Sequence, residues 1–492
     1  MFETAELGSR ISRNEFEREL PQLRVDLVNA HFDLRGADFT VLIVIVGDDQ
    51  RGVSAVVNRL NEWMDARFIQ THVFGAPTEE ELQRPRNWRY WRALPGRGEL
   101  AIYTGAFALD TITERLKGVI DDVEFDRRID HMASFERELF DDGALVVKFW
   151  IHLPRKALKK RLRKSGGKDG KGLDDVDQLV FDAYDELRPL SERVLRRTDS
   201  SGAPWHVVEG SDARYRDLTV ARTIRGAVLE RLAQPPAPPQ VTPARAARSA
   251  ASDNTVLDTV DLGARLDRAS YKEQRAELQD RLRRLSQRAR ERGVASVALF
   301  EGWDAAGKGG VIRRVSTAMD VADYRIVAVR PPTEEELARH YLWRFWRQLP
   351  RAGRMLVFDR SWYGRVLVER VEALVPEPVW RRAYREINDF EEQIVERGIP
   401  LFKFWLHIDP DEQLRRFRQR EQTPYKKYKI TDEDYRNRAR WDDYVAAVNE
   451  MVQRTSTELA PWTLVPSNDK RFARAMVLRT ICEGLAERVD QP

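Results

Sequence analysis

VALFEGWDAAGKGGVIRRV, residues 297–315, is the stretch that decides the fold class of this chain. An apolar run leads into a glycine-rich turn, and the turn leads into a helical pattern. The turn, from Gly302 to Lys308, satisfies GxxxxGK, in which successive backbone N–H groups can point at phosphate oxygens. The helix N-terminus adds its dipole, and Lys308 supplies a mobile positive charge. This setting predicts a phosphate-binding loop (P-loop), although a plain glycine-rich turn is the alternative.

The position after the lysine departs from the usual pattern. A Ser or Thr ordinarily follows the lysine and holds Mg²⁺, whereas Gly309 stands there in this chain. A carboxylate suits a hard cation, so Asp304 inside the loop is the candidate replacement ligand. The candidate phosphate-binding glycines of the turn are Gly302, Gly307, Gly309 and Gly310.

A second candidate element, RMLVFDRSWYGRV at 354–366, ends an apolar strand with Asp359. A carboxylate beside a P-loop usually holds Mg²⁺ or one of its waters. Arg360 and Arg365 lie close enough in the chain to clamp phosphates. The alternative is a simple surface ion pair between Asp359 and Arg360. The coupling to the P-loop favours the functional interpretation.

The densest basic stretch is RRFRQREQTPYKKYK, residues 415–429, which follows the apolar run 400–408. In P-loop kinases this place is taken by a mobile lid that closes over phosphates and excludes water. A solvated helix face is the alternative for any charge run. The arginine content favours a lid and a substrate with many phosphates. Its candidate phosphate-binding residues are Arg416, Arg420, Lys426 and Lys429.

The sequence contains an internal repeat. PTEEEL, RYWRALP and KFWIHL begin at residues 77, 89 and 148, and their near-copies begin at 332, 344 and 403. The offsets 332−77, 344−89 and 403−148 all equal 255, so the period is that of a duplicated domain. A Pro/Ala-rich stretch separates the copies, and its composition predicts an extended linker. The predicted domains are residues 1–233 and 253–492, with a linker over 234–252.

Each repeat alternates short apolar runs with helical patterns, which argues for a parallel sheet with helices on both faces. The predicted fold is α/β, with two tandem P-loop kinase-like domains, each a mostly parallel sheet flanked by helices, and a basic lid in the C-terminal one. The stretch 271–293 places Leu278, Leu282 and Leu285 on one helix face that ends at Gly293. The predicted strands are TVLIVIVG, RFIQTHVFG, ELAIYTG, LVVKFWIHL and WHVVEG in the first repeat, and VASVALFEG, YRIVAVR, RMLVFDR, PLFKFWLHI and WTLVP in the second.

Composition narrows the class of protein. The single cysteine, Cys482, leaves no intrachain disulfide and no cysteine-based zinc site. The first residues lack the apolar region of a secretory signal, and the longest apolar run, 39–47, is too short to span a bilayer. With 83 basic residues against 79 acidic ones, nonspecific nucleic-acid binding is not favoured. We expect a cytoplasmic protein without membrane or nucleic-acid partners.

GWDAAGKGG (302–310), DRSWYGR (359–365) and the lid with DEDYRNRARWDDY (432–444) resemble the second family of polyphosphate kinases. The two-domain arrangement is similar to that of its fused polyphosphate:AMP phosphotransferases, and the fold to that of thymidylate kinase. The resemblance implies transfer of the terminal phosphoryl group of inorganic polyphosphate to AMP, giving ADP, with Mg²⁺ as cofactor. It implies that Asp304 and Asp359 bind Mg²⁺, that Lys308, Arg360 and Arg365 grip the transferring phosphate, and that Arg420 and the lid lysines hold polyphosphate.

The first repeat lacks the same charged groups. Gly47, Asp49 and Gly52 match the glycines and aspartate of the second loop in the 255-residue register. The counterparts of Lys308, Asp359, Arg360 and Arg365 are Val53, Thr104, Gly105 and Asp110. We therefore expect an inactive, structural first repeat, which forms an intrachain pseudo-dimer with the second. A retained polyphosphate-docking role is the alternative, and a homo-oligomer is compatible with either.

Two rival functions remain open from the sequence. An ATP-dependent nucleoside monophosphate kinase would share the P-loop and lid, but Gly309 and the strongly basic lid argue against it. A noncatalytic polyanion binder would have no need of Lys308, Asp304 and Asp359 together. The choice of AMP over other acceptors rests on the resemblance alone.

Overall fold

The computed structural model describes residues 2–165, 175–234, 255–423 and 432–490. Within these ranges ten strands form two five-stranded sheets, and all strand neighbours are parallel. The predicted α/β class with two tandem sheet domains is confirmed. Lys426 and Lys429 of the predicted lid, and nearly all of the predicted linker, lie outside the described residues.

Every predicted apolar run forms a strand. The first sheet has the order β2-β3-β1-β4-β5 and the second the order β7-β8-β6-β9-β10. The strands are β1 (Val41–Gly47), β2 (Ile69–Phe74), β3 (Leu100–Gly105), β4 (Leu145–His152), β5 (Trp205–Glu209), β6 (Ser296–Gly302), β7 (Tyr324–Ala328), β8 (Met355–Asp359), β9 (Leu401–His407) and β10 (Trp462–Pro466).

Helices fill the connections between the strands. In the first repeat they are α1 (Arg13–Leu34), α2 (Gln50–Trp63), α3 (Glu79–Leu82), α4 (Trp88–Arg92), α5 (Ala106–Leu116), α6 (Asp122–Asp141), α7 (Arg155–Ser165), α8 (Asp175–Asp182), α9 (Tyr184–Thr198) and α10 (Ala213–Ala233). In the second they are α11 (Arg268–Glu291), α12 (Lys308–Ser316), α13 (Glu334–Leu337), α14 (Trp343–Trp346), α15 (Val368–Val371), α16 (Glu377–Glu396), α17 (Pro410–Glu421), α18 (Asp432–Ala439), α19 (Trp441–Thr455) and α20 (Lys470–Asp490).

The sequences of the central strands are unbroken apolar runs because both faces of these strands are buried. All seven residues of β1 and all seven of β9 are buried. In α11 the predicted face is confirmed, since Leu278, Leu282 and Leu285 are buried. Among the described helices, none combines the length and the apolarity that a membrane span needs.

The chain forms two compact units, and neither is one continuous repeat. The first unit consists of Met1–Thr78, Arg89–Gln240 and Thr333–Trp343, and the second of Glu79–Trp88, Val241–Pro332 and Arg344–Pro492. The predicted domains, 1–233 and 253–492 with a linker over 234–252, stay a prediction; the break between residues 240 and 241 lies inside that linker. Each unit contains a short segment whose sequence belongs to the other repeat. The two segments occupy matching positions in the 255-residue register.

We call Glu79–Trp88 and Thr333–Trp343 the exchanged segments. Hydrogen bonds hold each of them in its unit. In the second unit, Arg84 Nε donates to Leu349 O at 3.1 Å, and Ala352 N donates to Gln83 Oε1 at 3.1 Å. In the first unit, Arg97 N donates to Ala338 O at 2.8 Å. Both segments carry nearly the same PTEEEL-to-Trp pattern. The sequence alone therefore cannot indicate in which unit each copy packs.

Candidate functional site

The loop after β6 has the backbone of a phosphate-binding loop. Gly302 has φ +144°, and a Cβ there would lie 2.5 Å from the carbonyl oxygen of Leu406 on β9, so that only glycine fits. Ala305 and Gly307 also have positive φ, +62° and +116°. Gly307 is the N-cap of α12, and Lys308 is the first residue of that helix. The predicted strand–loop–helix arrangement is therefore present.

Lys308 and Asp304 face the same cleft, which is in the second unit. The Lys308 ammonium folds back to donate to the carbonyl oxygens of Gly302 and, at 3.3 Å, Trp303. The Asp304 carboxylate accepts a hydrogen bond of 2.9 Å from the Asn437 amide, and Arg360 approaches it at 3.7 Å. The side chain of Asp304 is 18% exposed. A carboxylate and a lysine thus share one opening on the carboxyl edge of the sheet.

The cleft is lined by both polar and apolar side chains. Trp303 stacks on Trp441 with ring centroids 3.7 Å apart, and its indole N–H donates to Nδ1 of His407 at 3.0 Å. Burial lowers the pKa of His407 to about 4, so the imidazole stays neutral and accepts this bond. The lining residues are Glu301, Gly302, Trp303, Asp304, Lys308, Arg360, Gly364, Leu367, Val368, Trp405, Gln413, Asn437 and Tyr444.

The segment after β8 reaches the same edge. Asp359 pairs with Phe300 in the sheet register and is half-buried at the strand end. Arg360 has φ +64°, a conformation that costs energy for a residue with a side chain. Its N–H donates to Phe300 O at 3.1 Å, and its exposed guanidinium lines the cleft. Arg365 lies in a short 3₁₀ helix, Trp362–Arg365, and its Nε lies 3.2 Å from Glu369.

Arg416 was predicted to bind phosphate, but its guanidinium is directed at the protein backbone. The side chain is 2% exposed. NH1 donates to Ala305 O and Ala306 O at 2.9 and 2.8 Å, and NH2 donates to Ser467 O and Asn468 O at 2.6 and 3.1 Å. This arginine therefore holds the P-loop from behind in this structure. Arg420, one turn further along α17, is half-buried.

Glu301 is a site residue that the sequence interpretation missed. It is the last residue before the loop glycine, it is buried, and its Oε1 accepts a hydrogen bond of 2.8 Å from Ser361 Oγ. Burial raises the pKa of this carboxyl, while the positive charges of Lys308 and Arg360 oppose the shift. Glu301 gave no signal of its own because it precedes the first glycine of the GxxxxGK motif. Its hydrogen bond ties the P-loop strand to the segment that begins at Asp359.

Two further cations near the P-loop were also missed. Lys470 is the first residue of α20, and Arg474 lies one turn later; a Cβ on Gly310 would lie 3.2 Å from Arg474 NH2. Burial and the charge of Arg416 lower the pKa of Lys470 to about 8. Burial and the charge of Arg314 likewise lower the pKa of Arg474. These positive charges are held close together, an arrangement that a bound polyanion would stabilise.

Comparison with protein-family models identifies the family of this chain. The family model described as polyphosphate kinase 2 matches this chain twice, over residues 10–235 and 265–491. The chain belongs to the polyphosphate kinase 2 family. It is accordingly a phosphotransferase of the kinase type, and the family model matches both of its repeats.

Relatives with the same two-repeat length exist. The chain is 49% identical over 496 residues to a protein from Pseudomonas aeruginosa PAO1 named polyphosphate:AMP phosphotransferase, with 99% of this chain and 98% of the relative covered. It is 45% identical over 494 residues to a protein of the same name from Pseudomonas syringae pathovar tomato DC3000, with 99% and 98% covered. A crystal structure described as a polyphosphate kinase 2 from Pseudomonas aeruginosa is 48% identical, with full coverage of both chains and a TM-score of 0.90.

In the first polyphosphate kinase 2 repeat the corresponding loop is closed by its own side chains. The Asp49 carboxylate accepts from Gly52 N at 2.9 Å and is buried. Asp48 is bound to His152 at 2.6 Å and to Leu153 N at 2.8 Å. Val53, at the position of the P-loop lysine, belongs to the hydrophobic core. The backbone differs as well: α2 already begins at Gln50 whereas α12 begins at Lys308, and Gln50 and Gly52 lack the positive φ of their counterparts Ala305 and Gly307.

Proposed function

We propose that this protein transfers the terminal phosphoryl group of inorganic polyphosphate to AMP, giving ADP. The observation that carries the proposal is the shared cleft in which Lys308, Asp304 and Arg360 meet at a glycine-rich loop. Two relatives of nearly the same length, both named polyphosphate:AMP phosphotransferase, support the choice of substrates. The cluster of Lys470 and Arg474 beside the loop supports a donor with more negative charge than a mononucleotide carries.

Catalysis would come from positioning and charge neutralisation, because phosphoryl transfer needs no protein nucleophile. Backbone N–H groups at the start of α12 would hold the terminal phosphate of the donor, with Lys308 swinging from Gly302 O onto its oxygens. Arg360, which also lines the cleft, would contact the equatorial oxygens. The phosphate oxygen of AMP would attack the terminal phosphorus in line, and the shortened polyphosphate chain would leave.

We infer that Asp304 and Asp359 would hold Mg²⁺ during the reaction. Magnesium is commonly bound by one or two carboxylates together with substrate phosphates and waters. Asp304 lines the cleft, and Asp359 ends β8, which neighbours the P-loop strand β6 in the sheet, so both carboxylates lie at the carboxyl edge of the sheet. When bound, the ion would neutralise phosphate charge.

The acceptor would lie against the apolar part of the lining. Leu367, Val368 and Trp405 would offer a surface for a nucleobase, and Asp304 and Asn437, which are hydrogen-bonded to each other, would face the phosphates. The predicted lid would cover the phosphates from α17 and α18. Its central residues, including Lys426 and Lys429, lie outside the described residues. We infer that the first repeat is structural, because its P-loop aspartate is bound to its own backbone and Val53 replaces the lysine.

The deciding experiment measures ADP formation from AMP with purified full-length protein, Mg²⁺ and polyphosphate. A parallel assay replaces polyphosphate with ATP at the same phosphate concentration. We expect turnover with polyphosphate and at most a few per cent of that rate with ATP. Preferred use of ATP would instead assign a nucleoside monophosphate kinase. Polyphosphate binding without ADP formation would assign a noncatalytic binder.

A further inference from the structure

A buried polar network lies beneath the segment that carries Arg360 and Arg365. Glu391 of α16 and Lys403 of β9 form an ion pair of 2.7 Å, and their side chains are 1% and 0% exposed. Lys403 Nζ also donates to Thr455 O at 2.6 Å and to the Tyr363 hydroxyl at 3.0 Å. All three ammonium hydrogens therefore have acceptors, as a buried lysine requires.

The second oxygen of Glu391 is used by the segment itself. Oε1 accepts hydrogen bonds from Trp362 Nε1 at 2.9 Å and from the Tyr363 hydroxyl at 2.7 Å. Trp362 and Tyr363 are the first two residues of the 3₁₀ helix that ends at Arg365. One carboxylate thus holds two consecutive residues of the segment from below.

Ser361 anchors the same segment on its other side, through its hydrogen bond to Glu301 next to the P-loop. Between the strand and these anchors stands Arg360, whose φ of +64° is unfavourable for a side-chain residue. Such a conformation persists only where the surrounding structure over-determines it. The anchors at Ser361, Trp362 and Tyr363 provide that restraint immediately after the arginine.

The first repeat supplies an internal comparison. Lys148 pairs with Glu136 at 2.6 Å and donates to Thr198 O at 2.6 Å, as Lys403 does with Glu391 and Thr455. The indole N–H of Trp205 donates to Thr198 Oγ1 at 2.8 Å, and that of Trp462 donates to Thr455 Oγ1 at 2.9 Å. The buried pair is therefore common to both repeats and belongs to the fold.

The two repeats differ in the hydrogen bonds of the second carboxylate oxygen of this glutamate. The counterparts of Trp362 and Tyr363 are Phe107 and Ala108, whose side chains have no N–H or O–H group. Among the described residues, Glu136 Oε1 is buried and has no hydrogen-bond partner. The indole and hydroxyl donors accompany the pair only in the repeat that also has arginines at positions 360 and 365.

We propose that Glu391 is a positioning residue, which fixes the Arg360–Arg365 segment at the phosphate cleft through Trp362 and Tyr363. The inference rests on the proposed function, in which Arg360 contacts the transferring phosphate. The ion pair with Lys403 keeps the carboxylate in place. Through the hydrogen bonds from Trp362 and Tyr363, the buried Glu391–Lys403 pair also supports the segment at the phosphate cleft.

The experiment uses the full-length chain with Trp362→Phe and Tyr363→Phe combined. This double variant removes from Glu391 Oε1 the two donors that Glu136 Oε1 already lacks, so the fold is expected to persist. We expect kcat to fall by about tenfold to a hundredfold, since small displacements of positioned groups cost that much. KM for AMP should stay within about threefold of the wild-type value. Amide hydrogen exchange should become faster over residues 359–366 and remain unchanged in the first repeat.

Glu391→Gln and Glu136→Gln form the matched pair. Glu391→Gln should lower kcat as the double variant does, whereas Glu136→Gln, which weakens the same kind of buried pair, should leave kcat within about twofold. Equal losses in both glutamine variants, or wild-type kcat and exchange in the double variant, would overturn the inference. A wild-type protein without polyphosphate-dependent ADP formation would refute the proposed function instead, and the exchange measurement would still decide the positioning role.

Discussion

Arg416 shows how burial changes the use of a cation. Its position after a core strand, in an arginine-rich run, indicated a phosphate ligand. In the structure its guanidinium is surrounded by main-chain carbonyl oxygens, and four of its hydrogen bonds go to them. A buried arginine needs acceptors for its N–H groups, and the back of a P-loop supplies them. We expect Arg416 to act on phosphate only through the loop that it supports.

Lys308 is the residue on which the proposed chemistry depends most directly. Lys308→Ala in the full-length chain should lower ADP formation by at least about 10³-fold, because one positioned charge on the transferring phosphate is lost. The measurement is kcat with AMP and polyphosphate under saturating Mg²⁺. A residual rate above a few per cent of the wild-type rate would mean that the first repeat also catalyses the reaction.

The two P-loop aspartates offer a matched comparison. Asp304→Asn should reduce kcat by about 10²-fold or more, because it removes a proposed metal ligand that faces the cleft. Asp49→Asn, at the same place in the first repeat, keeps a side chain that can accept from Gly52 N and should leave kcat within about twofold. A large loss of activity in the Asp49 variant, with thermal stability unchanged, would assign chemistry to the first repeat.

Lys470 should make polyphosphate binding depend on pH. Its pKa in the free protein is about 8, below the ordinary value of 10.5, because the side chain is buried among other cations. A bound polyanion favours the charged form, so affinity is highest below pH 8 and falls as the lysine loses its proton above it. KM for polyphosphate should rise about tenfold between pH 7 and pH 9. Lys470→Arg should make that profile nearly flat, whereas a steep rise retained in this variant would exclude Lys470 as its cause.

At the scale of single elements, the β6–loop–α12 connection depends on which glycine is replaced. Gly302→Ala would bring a Cβ to 2.5 Å from Leu406 O at a positive φ, so we expect the free energy of unfolding to fall by about 3 kcal/mol. Gly309→Ala meets open space in the first turn of α12, so stability should change by less than about 1 kcal/mol. Denaturant unfolding monitored by circular dichroism distinguishes the two variants. Similar losses in both would contradict the steric argument.

The same elements show which parts of the fold and of the site can be predicted from the sequence. The ten strands and α11 follow from apolar runs and helical spacing, because burial of a parallel sheet or of one helix face leaves a local pattern. The P-loop follows from a motif whose backbone geometry demands glycine. Glu301 and Lys470 could not be found in this way, because their importance comes from neighbours that are distant in sequence. Charge type alone does not distinguish Arg416, behind the loop, from Arg360, in front of it.

At the scale of the whole molecule, the exchanged segments limit how the chain can be divided. Glu79–Trp88 belongs to the compact unit that contains the P-loop, although its sequence lies in the first repeat. A fragment covering 253–492 would leave the acceptor Leu349 O without Arg84 and the amide of Ala352 without Gln83.

We therefore predict that the 253–492 fragment, purified alone, is not a stable monomer. It either unfolds at a temperature at least about 10 °C below that of the full chain or dimerises through its own copy of the segment, Glu334–Trp343. Light scattering and thermal unfolding measure both outcomes. Co-expression with residues 1–233 is the control and should restore the stability. A monomeric fragment with full-chain stability and activity would contradict the prediction.

The exchange also bears on how the gene can change. Under the proposed assignment of the chemistry to the second repeat, selection on catalysis would not act on the first repeat directly. Deletion of the first repeat would nevertheless remove ten residues, 79–88, from the compact unit that contains the P-loop. Natural selection on that unit would therefore reach into the other half of the gene, where we expect residues 79–88 to drift more slowly than the loop at 47–53.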